Sequence, residues 1–329
     1  MQAIQISEIG GPDRLHRVDV DLPEPGPGQA RLRIEASGVN FIDTYHRTGL
    51  YPLPLPFTLG VEAAGIVEAL GPHKNQDEFT VAVGDRVAFT GIPGTYASHC
   101  IAPIHRLVRV PSTLSLELAA ATLLQGMTAH YLTNGVRETR AGDTALVHAA
   151  AGGTGSLLVQ LLKQAGARVI ATCGTTDKAK LARESGADEV ILYRQEDFQA
   201  RTRALTDGRG VDVVYDSVGQ STFEGSLASL RPRGLLCLFG QASGPVPPFD
   251  LARLNGAGSV FVTRPSLFHY IADRAALEER ANAIFEGLDT GKLKQRIWGR
   301  YALDEAAAAH TELEGRGTSG KLLLIPGEI

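Results

Sequence analysis

Apolar and polar positions follow two rhythms along this chain. From Met1 to about Ala121 the apolar residues come in short runs, such as Ala30 to Ile34 (A-R-L-R-I), Ala63 to Leu70 (A-A-G-I-V-E-A-L) and Arg86 to Phe89 (R-V-A-F). Turn clusters such as Pro23 to Gly28 cut them apart. Short apolar or alternating runs between Gly/Pro clusters predict strands joined by tight turns, and hence a barrel-like β domain. Val39 to Tyr45 predicts a loop entering a short helix, while the prolines of Gly49 to Pro56 (G-L-Y-P-L-P-L-P) exclude regular structure there. His73 to Glu78 reads as a charged surface turn, and a helical stretch opens at Ser115 to Thr122 and continues through Gln125 to Tyr131.

The second rhythm alternates apolar runs of strand length with amphipathic stretches of helix length. Thr144 to Val147, Arg168 to Thr172, Glu189 to Leu192, Gly210 to Asp216, Leu235 to Phe239 and Ser259 to Thr263 predict strands. Ser156 to Ala165, Glu196 to Leu205 and about Thr222 to Leu230 predict helices, and Arg231 to Gly234 a turn. Strand and helix in alternation make parallel strands with crossover helices, so this part reads as a doubly wound sheet. Two charged amphipathic helices follow, Arg274 to Gly287 and Ala302 to Glu314. The last apolar run, Lys321 to Ile325, has no place in the parallel count and is expected to return to the first domain. The expected organisation is therefore α/β, with a β-rich domain of residues 1–122 and 267–329 interrupted by a Rossmann domain of residues 123–266.

Between the first predicted strand and its helix lies Ala150-Ala151-Gly152-Gly153-Thr154-Gly155, the dinucleotide pattern G-x-G-x-x-G with alanine for the first glycine. The context is the one the pattern demands: a strand before, a helix after, a second strand at the right distance. Gly152 lets backbone approach a pyrophosphate, Gly155 lets helix pack on strand, and the free N–H groups of the first helical turn bind the anion. About 20 residues further on, an NAD site carries an acid for the ribose 2′-OH. Here Cys173, Gly174 and Thr175 stand in that place, with Lys178 beside them and Tyr193 after the next strand. A cation where the acid is missing suits a 2′-phosphate, so NADPH is the expected cofactor; taken alone, Lys178 reads equally well as a solvated helix residue.

Composition narrows the function classes. The 329 residues are 43% hydrophobic and 21% charged with a formal net charge of -4, a globular balance that carries no polyanion-binding signature. Three well-separated cysteines, Cys100, Cys173 and Cys237, exclude a disulfide framework and a four-cysteine zinc site. With no leader-like N-terminus and no long apolar run, a cytosolic protein is expected and a membrane partner is not.

Taken together, Asn40-Phe41-Ile42-Asp43, Gly49-Leu50-Tyr51-Pro52, Gly60-Val61-Glu62-Ala63-Ala64-Gly65, Gly84-Asp85-Arg86-Val87, Ala149 to Gly155, Tyr215 to Gly219 and Val262 to Ser266 resemble the zinc-independent quinone oxidoreductases of the medium-chain dehydrogenase/reductase superfamily, relatives of zeta-crystallin. The resemblance runs the length of the chain. It implies a GroES-like catalytic domain, a Rossmann domain, NADPH as reductant and a homodimer joined through the sheet edges. Zinc-dependent relatives hold their metal with a Cys where this chain has Asn40, a His where it has Val61 and a third ligand near Gln125. Neither Asn nor Val replaces a thiolate or imidazole, so no metal is expected.

The resemblance also implies which residues act. Asn40, Asp43, Tyr45, Tyr51 and Gln125 should line the acceptor cleft, with Asn40 and Tyr51 hydrogen-bonding the acceptor oxygen. Tyr45 also reads as a packing residue and Asp43 as a loop brace. Tyr131 should lie near the nicotinamide, although an aromatic on a helix also suits a core. Gly152, Gly153 and Thr154 should hold the pyrophosphate, Gly174, Lys178 and Tyr193 the 2′-phosphate region, and Ser217, Phe239, Gly240 and Gln241 the riboses. Pro265, Ser266 and Leu267 should touch the carboxamide, and Arg316 should reach the cofactor. Relatives commonly carry Ser after Phe-Gly-Asn where this chain has Gln241-Ala242, which removes a hydroxyl contact. His148 reads as a hydrogen-bonded structural histidine. The leading function is quinone reduction by NADPH; the alternatives are enal or enone reduction, with Tyr51 as proton donor, and low-turnover binding of NADPH or RNA.

Overall fold

Strand Gln29–Val39, eleven residues long, is the spine of the first unit. Its apolar positions Ala30, Leu32 and Ile34 alternate inward and pack on Val67, Val87, Phe89, Cys100 and Ala102. The sheet built on it runs Ile297–Ala302, Lys321–Ile325, Gln29–Val39, Glu62–Leu70, Arg86–Thr90 and Val108–Arg109, and His99–Pro103 also pairs with the spine. Register shifts at Arg31/Leu32 and Ile34/Ala36 bend the spine, as bulges do. The computed structural model describes residues 1–72 and 80–327, so the charged turn expected at His73 to Glu78 lies outside the described residues.

The terminal strand Lys321–Ile325 does return to this unit, pairing antiparallel with Gln29–Val39 through Leu322 and Val39. Sequence pattern missed its other neighbour, Ile297–Ala302, which pairs in parallel and is broken at Gly299 by a register shift. Helix Ala306–Glu314 lays Ala306, Ala309 and Leu313 on Ile4, Ile6, Leu59 and Leu324, a second core. Compact units divide after Met127 and again at Ile271. The first division falls inside the continuous helix Leu116–Tyr131, which also contains Leu123.

In the second unit six parallel strands lie in the order Glu189–Leu192, Arg168–Cys173, Thr144–Val147, Val211–Asp216, Leu230–Leu238 and Phe261–Thr263. In chain order these are the third, second, first, fourth, fifth and sixth, the doubly wound arrangement with its switch between first and fourth. Leu146, Ile170, Ile191, Val214 and Leu236 form its core with Phe223 and Leu227. Helix Gly153–Gln164 starts within the glycine turn, ahead of the expected Ser156. The expected turn at Arg231 to Gly234 is an irregularity inside one strand. Pro232 offers no N–H and Arg233 sits at φ 60°, so pairing lapses after Leu230 and resumes at Leu235. Among the described residues no helix is long and apolar enough to cross a membrane.

Candidate functional site

Because the second sheet is parallel, all its strand ends face one way, and the glycine turn, Gly174, Tyr193, Ser217, Phe239 to Gln241 and Pro265 to Leu267 follow those ends. Thr144–Val147 runs into the glycine turn, where Gly152 is the N-cap of helix Gly153–Gln164 and brings no capping side chain. The N–H groups of that first turn stay available to an anion. A Cβ on Gly155 would collide with the Ala149 carbonyl and Ala150 Cα, so only glycine lets the helix close onto the strand. Val211–Asp216 and Leu230–Leu238 are paired up to Asp216 and Leu238. The segments beyond them touch, with Ala242 N–H donating to the Ser217 carbonyl (3.2 Å) and Gly240 packed on Ser217 backbone. Ser217, Phe239, Gly240 and Gln241 are half-buried on this edge, with Pro265, Ser266 and Leu267 following the sixth strand.

Asp216 clasps these ends. Its carboxylate accepts from Val218 N–H (2.8 Å), Gly219 N–H (3.0 Å), Thr222 Oγ1 and Ser226 Oγ (2.7 Å). Ser226 Oγ in turn contacts His148 Nε2, whose Nδ1 meets Thr172 Oγ1, both at 2.9 Å. His148 is thus the structural histidine expected, buried and held below its ordinary pKa by that burial. Tyr131 is buried and stacks on Tyr270 at 4.6 Å.

Gly174, Lys178 and Tyr193 gather beyond the ends of strands Arg168–Cys173 and Glu189–Leu192. Tyr193 and Gly174 meet, since a Cβ on Gly174 would stand 2.8 Å from the Tyr193 phenol oxygen. Lys178 lies in the first turn of helix Thr176–Glu184, its N–H capped by Thr175 Oγ1. Burial, with Arg194 nearby, holds the Lys178 ammonium below its ordinary pKa. Arg316 belongs to the first unit, exposed after helix Ala306–Glu314 with φ 55°.

In the first unit Asn40 opens helix Phe41–Arg47, its N–H accepted by Asp43 Oδ2 at 2.8 Å. The Asn40 Nδ2 donates to the Gly38 carbonyl (3.1 Å) and to Glu62 Oε2 (2.9 Å), and its Oδ1 accepts from Lys321 Nζ (2.6 Å). Both amide hydrogens are used, which leaves none for the acceptor oxygen that sequence reasoning assigned to Asn40. Lys321 and Glu62 form an ion pair with no exposed surface, and Glu62 Oε1 also accepts from Leu124 N–H at 2.6 Å. A side chain on Gly38 would run into both charges, so glycine is required there.

Asp43 ends a second buried chain of hydrogen bonds. Arg47 only donates, so Arg47 Nη1 must give to His310 Nδ1 (3.0 Å). That leaves the His310 hydrogen on Nε2, directed at Tyr96 Oη (3.0 Å), and the Tyr96 hydroxyl donates to Asp43 Oδ2 (3.0 Å). Asp43 Oδ1 is buried without a partner. Burial pushes the Asp43 carboxyl up to about 7 against the pull of the Asn40 N–H, Tyr96 and Lys321. His310 falls to about 3 through burial and the Arg47 charge. Beyond the helix Tyr45 and Tyr51 meet edge to face at 5.3 Å, both half-buried, and Gln125 Oε1 accepts from Gln295 Nε2 at 2.8 Å.

Glu62, Lys321, Tyr96, His310 and Arg47 escaped sequence reasoning as parts of one network. Two left a trace, a glutamate and a lysine within otherwise apolar strand runs; the rest are brought together across up to 263 positions. The donor set around Asn40 does not fit zinc. Val61 offers no ligand atom, Asn40 is committed, and the Lys321 ammonium already neutralises Glu62. Among the described residues no group of three or more His, Cys, Asp or Glu side chains could hold a metal.

Comparison with known proteins places these features in a family. Residues 26–112 match the alcohol dehydrogenase GroES-like domain and residues 153–276 the zinc-binding dehydrogenase domain. The chain is 45% identical over 325 residues to a quinone oxidoreductase of Pseudomonas aeruginosa, covering 98% of this chain and 99% of that one. It is 42% identical over 336 residues to a 2-haloacrylate reductase of a Burkholderia species, covering 99% of each. Among solved structures, Escherichia coli quinone oxidoreductase complexed with NADPH superposes with a TM-score of 0.96 at 41% identity, covering 99% of this chain and all of that one.

Proposed function

The chain belongs to the zinc-independent quinone oxidoreductases of the medium-chain dehydrogenase/reductase superfamily, and from that membership we propose that it transfers hydride from NADPH to a quinone without a metal ion. The observation that carries the reading is the row of parallel strand ends bearing a glycine turn, a bare helix N-terminus and Lys178 where an NAD site has its acid.

Bound NADPH supplies the hydride. The first turn of helix Gly153–Gln164, with Gly152, Gly153 and Thr154, holds the pyrophosphate, and Gly174, Lys178 and Tyr193 hold the 2′-phosphate region. Ser217, Phe239, Gly240 and Gln241 border the riboses, Pro265, Ser266 and Leu267 the carboxamide, and Tyr131 and Arg316 complete the cofactor set. A quinone needs no Lewis acid, because its conjugated ring accepts hydride and its oxygens take protons from water. The protein's part is positioning and exclusion of water. Tyr51 donates to the acceptor oxygen, with Tyr45 and Gln125 around it, while buried Asp43 braces the helix that Asn40 opens and Asn40 holds the ion pair behind them.

The likeness to a 2-haloacrylate reductase favours a second reading, reduction of an activated carbon–carbon double bond with Tyr51 as proton donor. Steady-state oxidation of NADPH and of NADH, with 1,4-benzoquinone and a simple enone as acceptors, separates the two. Rapid NADPH oxidation with the quinone and slow NADH oxidation is the expected result. A saturated ketone as the principal product would favour the second reading. NADPH binding without turnover of either acceptor would overturn both and leave a binding protein.

A homodimer joined at the sheet edge is part of the proposal. It is supported by the edge strand Phe261–Thr263, where Phe261 is 61% exposed, and by Leu251, 74% exposed in the same unit. Cys100, Cys173 and Cys237 are free thiols, which supports a reducing, cytosolic location.

A further inference from the structure

Sequence reasoning stopped at Lys178 and Tyr193 for the 2′-phosphate, but the fold brings a second cation to the same spot. Arg194 directly follows Tyr193 at the end of strand Glu189–Leu192, which pairs in register with Arg168–Cys173 through Leu192 and Cys173. That register sets Tyr193 and Arg194 beside Gly174, and the Tyr193 N–H donates to the Cys173 carbonyl at 3.2 Å. The point a Gly174 Cβ would occupy lies 2.8 Å from the Tyr193 phenol oxygen and 3.4 Å from Arg194 Nε. A hydroxyl and a guanidinium thus converge on the face that glycine leaves bare.

Lys178 completes the constellation. It stands in the first helical turn on the chain that leaves Gly174; burial is the main cause that lowers the affinity of its amine for a proton, and the Arg194 charge adds to it in the same direction. Two cations held within reach repel, and among the described residues no acid pairs with exposed Arg194. A dianion between them reverses the sign of that interaction. Guanidinium adds a planar fork that takes two phosphate oxygens at once, which an ammonium cannot do.

We propose that Arg194 is a specificity-determining residue, the second cation of a 2′-phosphate site formed with Gly174, Lys178 and Tyr193. The proposal rests on the NADPH reading above. It assigns to Arg194 the discrimination between phosphorylated and unphosphorylated ribose, and leaves pyrophosphate and nicotinamide contacts to other residues.

The test is calorimetric titration of the wild-type protein, Arg194→Ala and Arg194→Lys with adenosine 2′,5′-bisphosphate and with 5′-AMP, neither of which requires turnover. Wild type should prefer the bisphosphate. Arg194→Ala should lose roughly tenfold or more in affinity for it and change less than about twofold toward 5′-AMP. Arg194→Lys should fall between, since it keeps the charge and loses the fork. Unchanged melting temperature in both variants, expected for an exposed side chain, shows that folding is intact. If wild type prefers the bisphosphate and Arg194→Ala binds it as well, the assignment to Arg194 is overturned while the NADPH reading stands. If wild type shows no preference at all, the NADPH reading fails and this proposal with it.

Discussion

Replacing Lys321 by methionine tests whether the first unit is organised around its buried ion pair. Methionine fills most of the volume of the lysine stem, so the main change is electrostatic. Glu62, with no exposed surface, loses the ammonium 2.5 Å away and keeps two hydrogen bonds, from Leu124 N–H and Asn40 Nδ2. Asn40 Oδ1 loses its donor as well. Removing one partner of a buried pair costs about 3–5 kcal/mol, far more than an exposed pair is worth. Trp298, the only tryptophan, lies on the strand that pairs with Lys321–Ile325, so its fluorescence reports unfolding of this unit. At an m-value of about 2–3 kcal/mol/M the urea midpoint should fall by roughly 1–2 M. Glu62→Gln in the same chain should restore at least half of that loss, since the uncompensated charge is then gone. A midpoint shift below about 0.3 M for Lys321→Met alone would refute the reasoning, showing that water or another group reaches Glu62.

Two further outcomes are expected. Asp43, with its pKa raised from 3.8 to about 7 by burial, contributes stability that is fully present below pH 4 and lost as pH rises through 7. His310, depressed to about 3, contributes in the opposite sense, present above about 6.5 and lost on acidification. Asp43→Asn should therefore gain on wild type as pH rises from about 4 to 7, by up to about 1.4 kcal/mol per pH unit, and His310→Gln should gain as pH falls from 6.5 to 3. Urea midpoints across that range check both, and parallel profiles in wild type and variants would refute the buried network. Phe261→Asp, on the exposed edge strand, should convert a dimer to a monomer in sedimentation at micromolar protein with little change in NADPH binding; an unaltered sedimentation coefficient would remove the sheet edge as the interface.

The elements legible in the sequence are those whose determinants are local. Lys321–Ile325 and Thr144–Val147 are short apolar runs bounded by glycine or charge, and they form as expected because burial on both faces demands such runs. The glycine turn was legible because the steric need at Gly155 and the bare helix terminus arise within six residues. Strand Ile297–Ala302 was not, since its exposed Trp298 and Arg300 alternate with residues whose burial depends on the neighbouring Lys321–Ile325.

What the sequence by itself determined is the two-rhythm architecture, the nucleotide turn and the absence of metal ligands at Asn40 and Val61, all read within short windows. What only the tertiary structure decided is which polar groups share a dry interior. Asn40, Glu62 and Lys321 meet across more than 250 positions, and so do Asp43, Tyr96, His310 and Arg47. Their protonation and hydrogen-bond directions follow from burial and from a donor that cannot accept. Arg194 reaches Gly174 by the same logic, through a strand register that pairs Cys173 with Leu192. Desolvation and hydrogen-bond satisfaction depend on every neighbour at once, so they exist only once the chain has folded.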